Sequence, residues 1–289
     1  MSETTVMKQE KFKSMRQIKI LKMTCTYLFL FLLAIAILYP LCLLVNISLK
    51  TEEEFAKFPI ELVKNPQFEN YAVVFESMEV FKRFFTTVWM TAIASVVGVG
   101  ICAYCAFPIQ RNYFRGSSKV FIFILVSMYF PGSLVANIVI LNDIMNVYGT
   151  PIALILLWIV GGLQMNIFMF VGFLKSIPKD LDEAAFVDGC SYTRYVFTVA
   201  VPLMKPIVFT ILLMKIIGCW NDFLGPYIYI TDPEFRTLST GLFQYKSTYG
   251  ASWNYFTTAI FIVAFPIIVI YIFFQKYIIS GMIMGAVKG

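Results

Sequence analysis

Histidine is absent from the 289 residues, and only 14% of the residues are charged. Without histidine there is no imidazole acid–base catalysis, no His-ligated haem and no His-ligated zinc. A soluble domain carries about 25% charged residues, so the shortage of charge excludes a water-soluble globule, a disordered chain and a coiled coil. The six cysteines (Cys25, Cys42, Cys102, Cys105, Cys190, Cys219) are scattered, and none lies in a long polar loop. Cys102-Ala-Tyr-Cys105 has the spacing of a redox or metal pair. It lies in an apolar run with no second pair, and structural zinc needs four ligands, so no metal site is expected. A phosphate loop of the form G-x-x-x-x-G-K-[ST] is missing too, so the chain does not bind nucleotide in that way. What is abundant is apolar: 59% of residues are hydrophobic and the mean hydropathy is +0.77. The composition is that of an all-α, polytopic membrane protein.

A membrane helix needs about 20 apolar residues to cross about 30 Å of hydrocarbon. Uncharged runs occupy 23–49, 84–110, 120–142, 144–174 and 247–275, and a sixth apolar segment, 206–230, is interrupted only by Lys215 and Asp222. Irregular backbone cannot face lipid, which predicts six transmembrane helices. The first run is longer than a signal-peptide core and no small-x-small site follows it, so it reads as an uncleaved anchor.

Basic residues set the expected orientation. One side of the membrane collects fifteen Lys and Arg, including Lys8, Arg16, Arg111, Arg115, Lys175 and Arg194; the other has seven, beside seven glutamates in its first loop. The positive-inside bias places both termini in the cytoplasm and accounts for the net charge of +6 without nucleic acid. The expected organisation is a basic cytoplasmic tail over 1–22, meeting anionic lipid. A first helix with an external loop follows over 23–83, then a core over 84–277 and a cytoplasmic tail over 278–289. The external segment 46–83 is either a small folded cap or a mobile linker. Residues 231–256 form a second external loop.

The cytoplasmic stretch 178–202 is long enough for helices of its own. Asp180 with Glu183 three residues later predicts a capping box, and Asp180, Asp182 and Glu183 suit the positive end of a helix dipole. Gly189 is placed to end that helix in the left-handed conformation. Ser191 is placed to cap a second short helix that Pro202 ends. Two short helices meeting at a glycine form a compact knob, a shape that calls for a docking partner.

Glu183-Ala184-Ala185, Gly189 four residues later and Val199-x-Val201-Pro202 resemble the EAA loop of ABC importer permeases, with valines where the usual pattern has Ile and Leu. Trp220-Asn221-Asp222-Phe223-Leu224 and the ending Gln275-Lys276-Tyr277 with Gly281 and Gly285-Ala286-Val287-Lys288-Gly289 resemble the carbohydrate branch. They point to the maltose-type subunit that bears the C-terminal tail. The resemblance covers about residues 24–289. It implies a type I importer fold in a prokaryotic cytoplasmic membrane. The chain would be a permease paired with a second, homologous permease, a dimer of ATP-binding subunits and an extracytoplasmic solute-binding protein. It implies that this chain is no enzyme and binds no cofactor, with Mg-ATP on the partner subunits. Carried over by position, Glu183, Ala184, Ala185, Asp188, Gly189 and Pro202 form the coupling element, and Gly281, Gly285 and Lys288 belong to a tail reaching the ATPase. The solute would be a sugar, expected to be an oligosaccharide.

Ionisable groups inside a membrane are costly and usually functional. Lys215 and Asp222 are about 10 Å apart along a helix axis, too far for a simple ion pair, and Lys215 has the reach to snorkel toward the cytoplasm. Trp220, Asn221 and Asp222 admit two uses, contact with a sugar or packing that shapes the gate. Gln164 and Asn166 are further candidates for the path or for helix adhesion. Gly161-Gly162 predicts close helix packing. A polyamine or glycerol phosphate diester is the alternative solute within the same class. A stand-alone secondary transporter is a different class and lacks the expected internal repeat and midplane acids.

Overall fold

The computed structural model describes residues 3–130, 132–247 and 252–286, with side chains described within 19–275. Helices dominate: α1 (Glu3–Ser48), α2 (Glu52–Lys57), α3 (Glu69–Ser77), α4 (Val80–Arg111), α5 (Ser117–Ser127) and α6 (Leu134–Val139), the last followed by a π turn, Ile140–Ile144. Then come α7 (Pro151–Val160), α8 (Leu163–Leu174), α9 (Asp180–Val187) and α10 (Tyr192–Tyr195), a second π turn (Val196–Ala200) and α11 (Val201–Leu203). The chain closes with α12 (Lys205–Asn221), α13 (Leu224–Tyr229), α14 (Leu238–Ser247) and α15 (Trp253–Ala286). Two compact units result, 1–71 with 252–261, and 72–251 with 262–289.

All six predicted apolar segments are helical, but only three are unbroken among the described residues: Lys19–Ser48, Val80–Arg111 and Trp253–Gln275. The fourth segment bends by 41° between α7 and α8, and the third divides into α5 and α6 with its π turn. The fifth is broken between α12 and α13. Glycine and an intramembrane aspartate make these breaks, as described below, and a hydropathy window averages over them.

In the first unit, every described side chain of α1 from 19 to 42 is exposed, as suits an apolar helix whose solvent is lipid. The segment that follows is a folded cap rather than a bare linker. Lys50 is fully buried, and its Nζ donates to the carbonyls of Phe58 (2.6 Å), Glu61 (2.5 Å) and Pro59 (3.3 Å). Asn70 Nδ2 donates to the carbonyls of Ser48 and Lys50, and the Asn46 amide pairs with Glu61 O and Val63 N. Thr258 Oγ1 donates to the Ser48 carbonyl, tying the start of α15 to the same cap.

In the second unit, α4 is the central column, packed against α7, α8, α12 and α14. Ala94, Gly98, Cys102 and Ala106 recur at four-residue spacing along its buried face, with Ser95, Val99 and Ala103 beside them. Small side chains at this spacing let backbones approach, the main source of helix adhesion where lipid is as apolar as leucine. Toward the end that carries α9 and α10, larger side chains fill the core: Phe107, Phe170, Leu174, Tyr195, Met204 and Ile211.

Candidate functional site

The first helix of the knob between α8 and α12 begins at Asp180, one residue earlier than a capping box at Asp180 requires. Lys179 occupies the cap position, no side chain caps the helix, and the Lys179 carbonyl receives the Asp182 and Glu183 amides. The acidic cluster serves otherwise. Asp182 is buried, and its carboxylate meets the Arg111 guanidinium with Nε–Oδ2 at 2.5 Å and Nη2–Oδ1 at 3.3 Å. Tyr195 donates its hydroxyl to Asp182 Oδ1, and Arg111 Nη2 also donates to the Ile177 carbonyl at 3.0 Å. Arg111, counted from sequence among the loop cations, is therefore a buried tie between the end of α4 and the knob. Phe107, Phe186 and Tyr195 pack around the tie with ring centroids 5.1 and 5.3 Å apart, and Tyr113 joins Phe107 at 5.4 Å. Burial, and next the Asp182 charge, push the Tyr113 phenol up, so it stays protonated.

The glycine expectation holds in detail. Gly189 has φ +76°, the Cys190 amide donates to the Ala185 carbonyl and the Gly189 amide to the Phe186 carbonyl. These two bonds make a Schellman motif with Asp188 as the C-cap. Ser191 stands at the N-cap of α10 without a side-chain bond. Pro202 does not end the second helix. The π turn over Val196–Ala200 precedes it, the helix continues to Leu203, and the chain turns by 89° into α12. A proline has no N–H to give the preceding turn, and a π turn accommodates that loss. On the outer surface of the knob, Glu183, Ala184, Asp188 and Gly189 are exposed, Ala185 is half-buried, and Val187 is 87% exposed. Val187 thus presents an open apolar side chain beside a small-residue surface.

Lys215 does not snorkel. It is buried, and Nζ donates to the carbonyls of Trp158 (2.6 Å), Gly161 (2.9 Å) and Ile159 (3.2 Å). These carbonyls end α7, so the ammonium caps the negative pole of a half-helix. Gly161 and Gly162 make this break rather than a packing contact, with Gly162 at φ +76°. Gly98, missed in the sequence, leaves room for the lysine: a Cβ there would stand 2.5 Å from Lys215 Cε.

Asp222 is the C-cap of α12 and immediately precedes Phe223, the N-cap of α13. Oδ1 accepts from the Gly225 amide at 2.9 Å, Oδ2 from Trp158 Nε1 at 2.7 Å, and its carbonyl from Ser239 Oγ at 2.8 Å. Trp220 is buried, donates Nε1 to the Val263 carbonyl at 3.0 Å and meets Phe84 edge-on at 5.8 Å. Asn221 is exposed between them, and Gln164 and Asn166 are half-buried on α8. Gly281 and Gly285 lie in the last turns of α15, where side chains are not described, and Lys288 lies outside the described residues.

This arrangement can transmit force. The knob is one buried ion pair from α4, α12 leaves it at a sharp angle, and Lys215 joins α12 to the broken α7–α8 segment. Comparison with known proteins identifies the family. Residues 97–284 match the family model described as the binding-protein-dependent transport system inner membrane component. The arabinooligosaccharides transport system permease protein AraQ of Bacillus subtilis is 30% identical over 276 residues, covering 91% of this chain and 94% of that protein. The galactooligosaccharides transport system permease protein GanQ of the same organism is 29% identical, covering 93% and 96%. A bacterial ABC transporter involved in import of the acidic polysaccharide alginate contains a chain of the same fold, with TM-score 0.79, 20% identity and coverage of 91% and 98%. With its fold and most of its length matched, the chain belongs to the family of binding-protein-dependent transport system inner membrane components, and is a multi-pass ABC transporter permease.

Proposed function

We propose that this chain forms half of the translocation path of an ATP-driven sugar importer in a prokaryotic cytoplasmic membrane, with six spans and both termini inside. The second half is a homologous permease, the motor is a dimer of ATP-binding subunits carrying Mg-ATP, and an extracytoplasmic binding protein delivers the solute. This chain performs no hydrolysis and holds no cofactor of its own. The observation that carries the reading is the knob: an exposed Glu183–Gly189 face whose reverse side is locked to α4 through Asp182 and Arg111. Such a face can receive a push and pass it on without deforming. Nucleotide would shift the path between inward and outward states only by binding one of them better.

The tail over 278–289, with Gly281, Gly285 and Lys288, would add a second contact to the ATPase. Asn221, Gln164 and Asn166 are the polar groups best placed to meet solute, while Trp220, Asp222 and Lys215 hold the broken helices that shape the path. An oligosaccharide is favoured because relatives such as AraQ and GanQ are named for oligosaccharide transport.

The test is purification of the chain from its own membranes beside a Glu183→Arg/Gly189→Pro variant, with partners identified by mass spectrometry. The expected outcome is recovery of one homologous permease and an ATP-binding subunit, the latter lost from the variant. A chain that purifies alone, or keeps the ATPase in the variant, overturns the reading.

A further inference from the structure

At the start of α4 lies a pocket of about 450 Å³ that none of the residues discussed above lines. Arg83 on α4 and Arg236 in the turn before α14 contribute its charge, Tyr227 and Phe243 its aromatic faces, and Thr240 and Gln244 its neutral polar groups. The size is that of a small-molecule site. The two guanidinium groups are close enough for their like charges to act on each other, and among the described residues neither forms an ion pair. Glu79 is the acid whose field reaches Arg83, while Glu234 is engaged by Lys82 at 3.7 Å. Arg83 Nε is buried and has no hydrogen-bond partner. Two cations facing one cavity, one with an unanswered buried donor, form an arrangement that an anion would relieve.

The rest of the lining narrows the anion. Tyr227 and Phe243 lie 5.1 Å apart at 50°, and although Phe223 stacks on Tyr227 at 5.6 Å they remain 51% and 41% exposed, so both leave aromatic surface open to an occupant. Gln244 donates Nε2 to the Ser77 carbonyl, and Thr240 donates to the Thr237 carbonyl. Their oxygens are left as acceptors, the complement of sugar hydroxyls. Phosphate or a free carboxylate would use the arginines and leave the aromatic faces and acceptors idle. The frame is fixed by Leu238 N, which donates to Thr87 Oγ1 at 2.8 Å, and by Ser77 with Tyr245.

Resting on the importer reading, we propose that this pocket is an acidic-sugar subsite: it takes a uronate unit of an oligosaccharide, with Arg83 and Arg236 on the carboxylate and Tyr227 or Phe243 against the ring's apolar face. Neutral oligosaccharides lack the group that both arginines want.

The experiment uses the complex that co-purifies with the chain, reconstituted in lipid nanodiscs. Equilibrium dialysis compares uronate trisaccharides of the gluco and galacto series with the neutral trisaccharides of the same linkage. One uronate is expected to bind about ten-fold more tightly or better at low salt, with the margin shrinking as ionic strength rises. Arg236→Gln and Arg83→Gln should each remove the margin without moving the neutral affinity, and Arg236, being exposed, reports without risk to folding. Equal affinities, a margin that survives in both variants, or no binding of any uronate overturns the proposal. So does an Arg236→Gln complex that releases its binding protein while keeping the uronate preference, because the pocket would then receive a protein carboxylate. A complex that imports neutral sugars and rejects uronates removes this inference and leaves the importer reading intact; a chain without ATPase partners removes the importer reading itself.

Discussion

Lys215 shows how one side chain can hold a broken helix together. Replacing it with methionine keeps most of the volume but leaves three carbonyls at the end of α7 without their donor. The cost of a buried acceptor left unpaired is about 1–3 kcal/mol, so the Lys215→Met complex should melt at a lower temperature in a thermal scan. Gly98→Ala should also destabilise, because the added methyl meets a lysine pinned by three bonds and lies 3.3 Å from the Ile159 carbonyl. Combined with Lys215→Met, the alanine should cost less than it does alone, since the pinned side chain is gone; strict additivity would argue against the contact. The pair behind the knob behaves differently. Arg111→Ala or Asp182→Ala leaves a lone buried charge, at about 3–5 kcal/mol. An Arg111→Met/Asp182→Leu double variant should recover much of that loss in a double-mutant melting cycle. If the recovered complex still hydrolyses ATP but fails to transport, the ion pair carries coupling as well as stability.

At the scale of elements, what the sequence revealed depended on how local the cause was. Gly189 could be read as a helix stop because its role is settled by the few residues around it, and the two Schellman bonds lie between Ala185 and Cys190. The partnership of Asp182 with Arg111 crosses 71 positions, and nothing near either residue announces the other. Asp182 reads as a helix-dipole acid and Arg111 as a loop cation until the fold brings them together. The broken spans were hidden for a related reason. Gly161-Gly162 is equally compatible with a tight helix contact and with a break, and the deciding factor is the distant ammonium of Lys215. Gly189→Ala isolates the cost of the left-handed turn, since nothing lies within 4 Å of an added Cβ. A penalty of about 1–2 kcal/mol is expected, less for Gly189→Asn, which tolerates that conformation. Retention of the ATP-binding subunit on a purification column, alanine against asparagine, measures it.

For the whole molecule, six apolar segments were legible because lipid imposes one rule on any backbone that crosses it, whatever the sequence detail. The folded state of the cap was not legible, since Lys50 looks like any other boundary lysine. The orientation can be checked directly in a cysteine-free background. A cysteine at Leu62, which is 82% exposed in the cap, should react with an impermeant maleimide in intact cells. One at Val187 on the knob should react only after the membrane is opened. Labelling in the reverse order would invert the topology and the assignment of the knob to the ATPase side.

The lysine at the centre of the cap also bears on how this surface endures digestion. Trypsin must draw several residues around its target into an extended strand, and it must find the ammonium free. Lys57 and Lys64 are exposed, Lys64 resting its ammonium only on the Phe58 ring, whereas Lys50 spends all three of its donors on carbonyls of its own loop. To cut there, the enzyme would first have to dismantle the cap. A nick after Lys57 would still leave Lys50 gripping carbonyls on the far side of the cut, and one after Lys64 would leave Asn70 bonded across it to the Ser48 and Lys50 carbonyls, so the two fragments would stay clasped under native conditions and part only in denaturant.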